Sequence, residues 1–392
     1  MSAKKQIPIR ATYMRGGTSK GVFFNIKDLP PAAQNPGVER DKIMLRVIGS
    51  PDPYGKQIDG MGNGTSSTSK VVIIGPSDRE DCDIDYLFGA VAIDAPVVDW
   101  SGNCGNLSSA VGPYAIQEGL VDAGTDGVKT VRIWQANLGK RIIAHVQVKD
   151  RQVVELGDFE LDGVTFPSAE VQLEFLDPGA DADSEGGAMF PTGNFVDHLD
   201  IPGIGRMEVT LINAGNPTIF IHAQSLGLSG IELQEDVNSN SDLLKKLETI
   251  RAYATVTMGL AATPAEATEK RPHTPKLAFV TAPSSYTASS GRAVSEQEID
   301  IAARIMSMGK LHHAMTGTGA IAIAVASAIP GTIVSSVLGG KSYSRVKFGH
   351  PSGTLGVGAE ANNESGEWVI TKALMSRSAR RLMTGEVWVP EA

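Results

Sequence analysis

The chain has 392 residues, 42% hydrophobic and 20% charged, with a formal net charge of -9. That length exceeds the size at which one core stops growing, so two domains are expected, and an acidic balance without a basic stripe argues against nucleic acid as a partner. Its two cysteines, Cys82 and Cys104, form no CxxC pair, which excludes a disulfide framework, leaves a metal site without support and points to a cytoplasmic setting.

In chain order, short β-branched or alternating segments bounded by Gly, Asp, Asn or Pro predict strands over 7–13, 20–24, 70–74, 91–94, 128–134, 141–148, 171–175 and 207–211. The pattern continues over 219–223, 276–280, 346–348, 354–357, 368–374 and 385–389. Helical spacing predicts helices over 40–47, 241–258 and 295–306, the last opened by Ser295 and Glu298 as a capping box. Two further helices, 108–116 and 320–329, are small and apolar all round, so each belongs at the centre of a sheet rather than on a surface. The segments 177–187 and 264–275 read as polar surface connectors. The opening MSAKKQIPIRATYM lacks an apolar targeting core and no apolar run reaches membrane-spanning length, so neither a leader nor a membrane anchor is expected.

Both apolar helices follow glycine-rich turns. Ser101-Gly102-Asn103-Cys104-Gly105-Asn106-Leu107 sets a thiol before the first, and roughly two hundred residues later Met308-Gly309-Lys310-Leu311-His312-His313-Ala314-Met315-Thr316-Gly317-Thr318-Gly319 precedes the second. The unpaired amides at such a helix start, together with the helix dipole, favour an anion, whether carboxylate or thiolate. The repeated design implies two similar α+β halves, each a curved sheet around one helix. Ordinary core packing would explain either helix alone; the matching pair favours a site.

Three more turns carry polar groups. Arg15-Gly16-Gly17-Thr18-Ser19-Lys20 links two predicted strands, and lacks both GxGxxG and P-loop spacing, so no nucleotide is indicated. Lys70 ends the hydroxyl-rich run Thr65-Ser66-Ser67-Thr68-Ser69 at the entrance to a buried strand, where a partly desolvated lysine can act as a base or simply snorkel. Gly349-His350-Pro351-Ser352-Gly353-Thr354 is a third such turn or a plain hairpin. His312 and His313, as chain neighbours on a helix or strand, should point apart and make poor paired metal ligands. A Ser-His-Asp hydrolase built on Ser19 or Ser101 has no GxSxG elbow to support it. An anionic substrate would draw on Arg15, Lys20, Lys70, Lys310, Arg345 or Lys347.

Taken together, Met14 to Gly21, Thr68-Ser69-Lys70, Ser101 to Asn106, Ser307 to Lys310 and Gly349 to Gly353, in that order along the chain, resemble the PrpF family over residues 7–390. The resemblance implies a diaminopimelate epimerase-like fold: a first domain over 1–148 to which a C-terminal strand in 376–392 returns, a second over 149–375, and an active site in the cleft. It also implies a cofactor-independent, cytoplasmic isomerase that moves a double bond by allylic proton transfer, converting methylaconitate to 2-methyl-cis-aconitate in the methylcitrate cycle of propionate breakdown. Lys70 would be the principal acid and base and Cys104 a second proton carrier or a positioning thiol; Ser19, Ser69, Gly105, Asn106, Met308, Gly309 and Ser352 would contact substrate, and Arg15 and Lys310 would meet carboxylates. No metal is implied. The related epimerases use one cysteine per half, whereas the second half here has none and places Met315 or Thr316 at the comparable turn, which disfavours a two-thiol amino-acid racemase. Isomerisation of oxalomesaconate or methylitaconate, and a non-catalytic role beside an aconitase-like 2-methylcitrate dehydratase, are the alternatives. A homodimer is the general expectation for a soluble enzyme.

Overall fold

The computed structural model describes residues 5–179, 188–364 and 367–391, so most of the expected loop at 177–187 lies outside the described residues. The chain divides into two compact units. One comprises the described residues up to Glu160, Phe166–Leu173 and those from Arg377 onward; the other comprises Leu161–Thr165 and the described part of Glu174–Ser376.

In the first unit, strands Gln6–Gly16 and Ser19–Asn25 form an antiparallel hairpin, and the second of them runs parallel to Lys70–Pro76. Lys70–Pro76 pairs antiparallel with Ile84–Val91, which runs parallel to Gly127–Gln135, itself antiparallel to Lys140–Lys149. Residues 379–390 of the strand Glu367–Pro390 pair antiparallel with Gln6–Gly16 along its whole length. The helix Gly105–Gln117 packs on this sheet with every residue from Gly105 to Ile116 buried, which explains its lack of a polar face. Close approach is set by Gly112, where an added Cβ would lie 2.9 Å from Val146 and 3.1 Å from Ala144.

The second unit repeats this order. Gly205–Ala214 and Asn216–His222 form an antiparallel hairpin whose second strand is parallel to Lys276–Thr281, and that strand is antiparallel to Ile301–Ser307. The sheet continues through Arg345–His350, Gly353–Glu364 and the first part of Glu367–Pro390. The helix Gly317–Ala328 is buried at every position; its Ser327 hydroxyl donates to Ala324 O at 2.8 Å, so the one serine on it is satisfied locally. Each unit is thus a sheet wrapped on one apolar helix, the α+β architecture expected for the diaminopimelate epimerase-like fold.

Four local expectations are corrected. Residues 295–306 do not form a helix: the capping box of Ser295 and Glu298 opens only the short turn Glu296–Glu298, and Ile301–Ser307 is a strand. Every residue of this strand is buried, Arg304 and Ser307 included, so burial does not alternate along it, and over so short a run periodicity does not separate it from a helix. The 264–275 connector contains the helix Pro264–Lys270, started by Thr263, whose Oγ1 accepts from Glu266 N at 3.2 Å, with the proline at the first helical position where it is tolerated. Of the strand expected at 91–94 only Val91 is paired, as the end of Ile84–Val91. The two segments 368–374 and 385–389 are one strand, Glu367–Pro390, whose arginine-rich middle hides the alternation. Among the described residues no helix is long and apolar enough to cross a membrane.

Candidate active site

Lys70 is the first residue of its strand, and its side chain is 5% exposed. The ammonium donates to Ser19 Oγ at 3.1 Å and to Cys104 Sγ at 3.1 Å, and lies 5.6 Å from the centre of the Phe88 ring. The strand order causes this convergence. Ser19 opens the neighbouring parallel strand, and Cys104 stands at the N-cap of the central helix, one residue before the helix expected from 108 actually begins at Gly105. Its Sγ accepts from Leu107 N at 3.5 Å, and its carbonyl accepts from the Tyr86 hydroxyl at 3.3 Å. Burial and the neighbouring Cys104 hold the Tyr86 hydroxyl well above its ordinary value, so it remains a donor. A thiol, a hydroxyl and an ammonium therefore share a small buried volume at a helix start, an arrangement suited to moving a proton beside a developing negative charge.

Gly105 and Asn106 open the helix, and Asn106 is fixed from both sides. Its Nδ2 donates to Thr18 Oγ1 at 3.1 Å and its Oδ1 accepts from Arg377 Nε at 2.9 Å. Arg377 was not singled out by the sequence, because it sits in a polar run that reads as surface. In the structure it is 2% exposed, and burial pushes its guanidinium down to about 9, so at neutral pH it is a buried cation. Gly17, at φ +51, lies against the same amide: an added Cβ there would come within 2.5 Å of Asn106 Oδ1.

Other expected residues occupy bracing positions. Ser69 donates its hydroxyl to Val91 O at 2.7 Å and accepts from Gln57 Nε2 at 2.7 Å. The Arg15 guanidinium donates to Gly17 O at 3.1 Å, to Ser378 O at 2.9 Å and to Ser168 Oγ at 3.2 Å, which ties the hairpin turn to the last strand. Burial lowers this arginine to about 10, with Arg380 adding to the effect and Glu155 opposing it.

Met308, Gly309, Lys310 and Ser352 belong to the second unit. Met308 at φ 52 and Gly309 at φ 74 make a two-residue turn between Ile301–Ser307 and Lys310–Leu311, with Ser307 opposite Lys310, whose side chain is exposed. The hairpin is thus distinct from the helix start, where Thr316, not Met315, is the N-cap and its Oγ1 accepts from Gly319 N at 3.2 Å. Ser352 donates to His313 O at 2.6 Å, and its amide donates to His350 Nδ1 at 3.2 Å. His312 and His313 do not point apart: they lie in a loop outside helix and strand, where side-chain direction does not alternate, and their rings stack at 4.7 Å. Among the described residues no group of three or more His, Cys, Asp or Glu side chains is placed to hold a metal.

Comparison with known proteins matches the chain over nearly its full length. Two proteins named 2-methyl-aconitate isomerase are similar to the chain: that of Shewanella oneidensis is 62% identical, covering 98% of each sequence, and that of Cupriavidus necator is 60% identical, covering 100% of this chain and 99% of the relative. A crystal structure of methylitaconate-delta-isomerase, 40% identical, superposes with a TM-score of 0.75 over 98% of this chain and 96% of that one. The profile of the PrpF protein matches residues 6–390, and the chain belongs to the PrpF family.

Proposed function

We propose that the protein is an isomerase of methylaconitate, shifting its double bond to give 2-methyl-cis-aconitate by allylic proton transfer, with Lys70 as the acid and base. The observation that carries this reading is the contact of Lys70 Nζ with both Ser19 Oγ and Cys104 Sγ at 3.1 Å, in a chain 62% and 60% identical to proteins bearing that name.

The chemistry is redox-neutral. The Lys70 amine removes a proton from the carbon next to a carboxylate, becoming an ammonium. The electron pair delocalises over the former double bond and onto carboxylate oxygen as a dienolate, and the ammonium returns the proton two carbons away. No cofactor enters this cycle. The start of the helix Gly105–Gln117 supplies amides and a dipole oriented before charge develops, and loss of one such donor typically costs about 10²–10³ in rate. Cys104 either shares this transfer as a second carrier of the same proton or holds the substrate carbon chain against Nζ. Ser19, Ser69, Gly105, Asn106, Met308, Gly309 and Ser352 are proposed as substrate contacts, and Arg15 and Lys310 as carboxylate partners.

Proton NMR in deuterated buffer tests the reading with methylaconitate, methylitaconate and oxalomesaconate offered separately. Conversion of methylaconitate with deuterium entering the allylic carbon is the expected result. Preferred turnover of either other compound moves the substrate assignment, and full turnover by Lys70→Ala removes the base.

A further inference from the structure

The buried guanidinium of Arg377 starts a chain of contacts that ends at the Lys70 cluster, all of it inside the first unit. Arg377 Nε donates to Asn106 Oδ1 at 2.9 Å, Asn106 Nδ2 donates to Thr18 Oγ1 at 3.1 Å, and the next residue along, Ser19, accepts from Lys70 Nζ at 3.1 Å. An arginine side chain carries donors and no acceptor, so the amide oxygen of Asn106 must face it and the amide nitrogen must face the turn. Gly17 leaves the space this needs: an added Cβ there would lie 2.5 Å from Asn106 Oδ1 and 3.1 Å from Arg377 Cδ.

Attachment of the last strand does not account for this arginine. Residues 379–390 pair with Gln6–Gly16 along its whole length, and Ser378 O accepts from Gly17 N at 2.9 Å, from the Arg15 guanidinium at 2.9 Å and from Ser109 Oγ at 3.4 Å. Those bonds hold the backbone beside Arg377 without its side chain. Burying a guanidinium carries a desolvation cost that an apolar residue of similar length would avoid, so its retention at this place calls for a role beyond the strand.

We propose that Arg377 is a positioning residue of the reaction: by holding the Asn106 amide in one orientation it sets the Gly17-Thr18-Ser19 turn, and with it the Ser19 hydroxyl against Lys70 Nζ. This rests on the function proposed above and deepens it by naming what keeps the base in place. Arg377 touches no reacting atom. Its effect passes through Asn106 and Thr18, and a misplacement of the amine by about 1 Å costs on the order of a hundredfold in rate.

A double-mutant cycle in kcat, joined to a crystal structure of the variant, tests this. Arg377→Met, which keeps the length and drops every donor, is expected to lower kcat about ten- to a hundredfold in folded protein and to lengthen the 3.1 Å contact of Ser19 Oγ with Lys70 Nζ. Thr18→Val is expected to lower kcat about three- to tenfold, the loss of one neutral hydrogen bond, and the double variant to be no slower than Arg377→Met, because both changes interrupt one path. Losses that multiply would make Arg377 a packing residue and overturn the proposal, as would an intact Ser19–Lys70 contact in the Arg377→Met crystal. If Arg377→Met does not fold, Thr18→Val carries both readouts: a lowered kcat with a lengthened contact supports the proposal, and a wild-type value of either overturns it. A wild type that turns over none of the three candidate substrates, while the contact is broken in Arg377→Met, defeats the proposed reaction alone.

Discussion

In the first unit the central helix is capped by a thiol, Cys104 Sγ accepting from Leu107 N at 3.5 Å; in the second it is capped by a hydroxyl, Thr316 Oγ1 accepting from Gly319 N at 3.2 Å. The sheets beneath follow the same strand order and both open the middle strand with a buried lysine. A hydroxyl is one of the preferred helix caps and sulfur is a weak acceptor, so threonine is what the position takes when only the helix start must be satisfied. The thiol in the first unit is a poor choice for capping, which makes chemistry the better account of Cys104.

The largest effect that sharpens this contrast is expected at Lys70. Lys70→Ala should lower kcat by about 10²–10⁴-fold, read from initial rates of the olefinic proton signals. A rate within a few-fold of the wild type would place proton transfer elsewhere. Cys104→Ser follows: it puts an oxygen, the better acceptor, in place of sulfur at the cap, so thermal melting should hold or rise, while kcat falls by less than in Lys70→Ala. A parallel drop in melting temperature and rate would make the thiol a packing residue.

Asn106 and Thr318 are the second residues of their helices, but only Asn106 accepts from a buried arginine. Asn106→Ala should therefore destabilise the fold by about 1.5–3 kcal/mol, the cost of a hydrogen bond to a charged group, measured by urea unfolding. An unaltered urea midpoint would show that Arg377 finds another acceptor at no cost. The smallest effect is expected from Thr316→Ala, about 1 kcal/mol of stability for a lost helix cap, with kcat retained. A large loss of kcat there would give Thr316 a part in the reaction and erase the distinction between the two caps.

Much of this was legible in the sequence for a definite reason. A helix with no polar face can only be central, and two of them, each behind a glycine turn, imply duplication. The hydroxyl run ahead of Lys70 and the thiol in SGNCGN marked the first unit's cluster. Arg377 gave no such signal, since SRSARR in a strand reads as polar surface until burial is known. The misread 295–306 segment shows the same limit from the apolar side, where a strand covered on both faces loses its alternation.

The pairing of Gln6–Gly16 with residues 379–390 bears on how the protein is made. The strand Gln6–Gly16 is made well before its neighbour at residues 379–390, so one of its edges stays unsatisfied while the intervening residues are synthesised. Such an edge invites chaperone capture or misassembly. A clone cut before Arg377 would keep Lys70, Ser19 and Cys104, yet would lack both this closing strand and the guanidinium that holds Asn106.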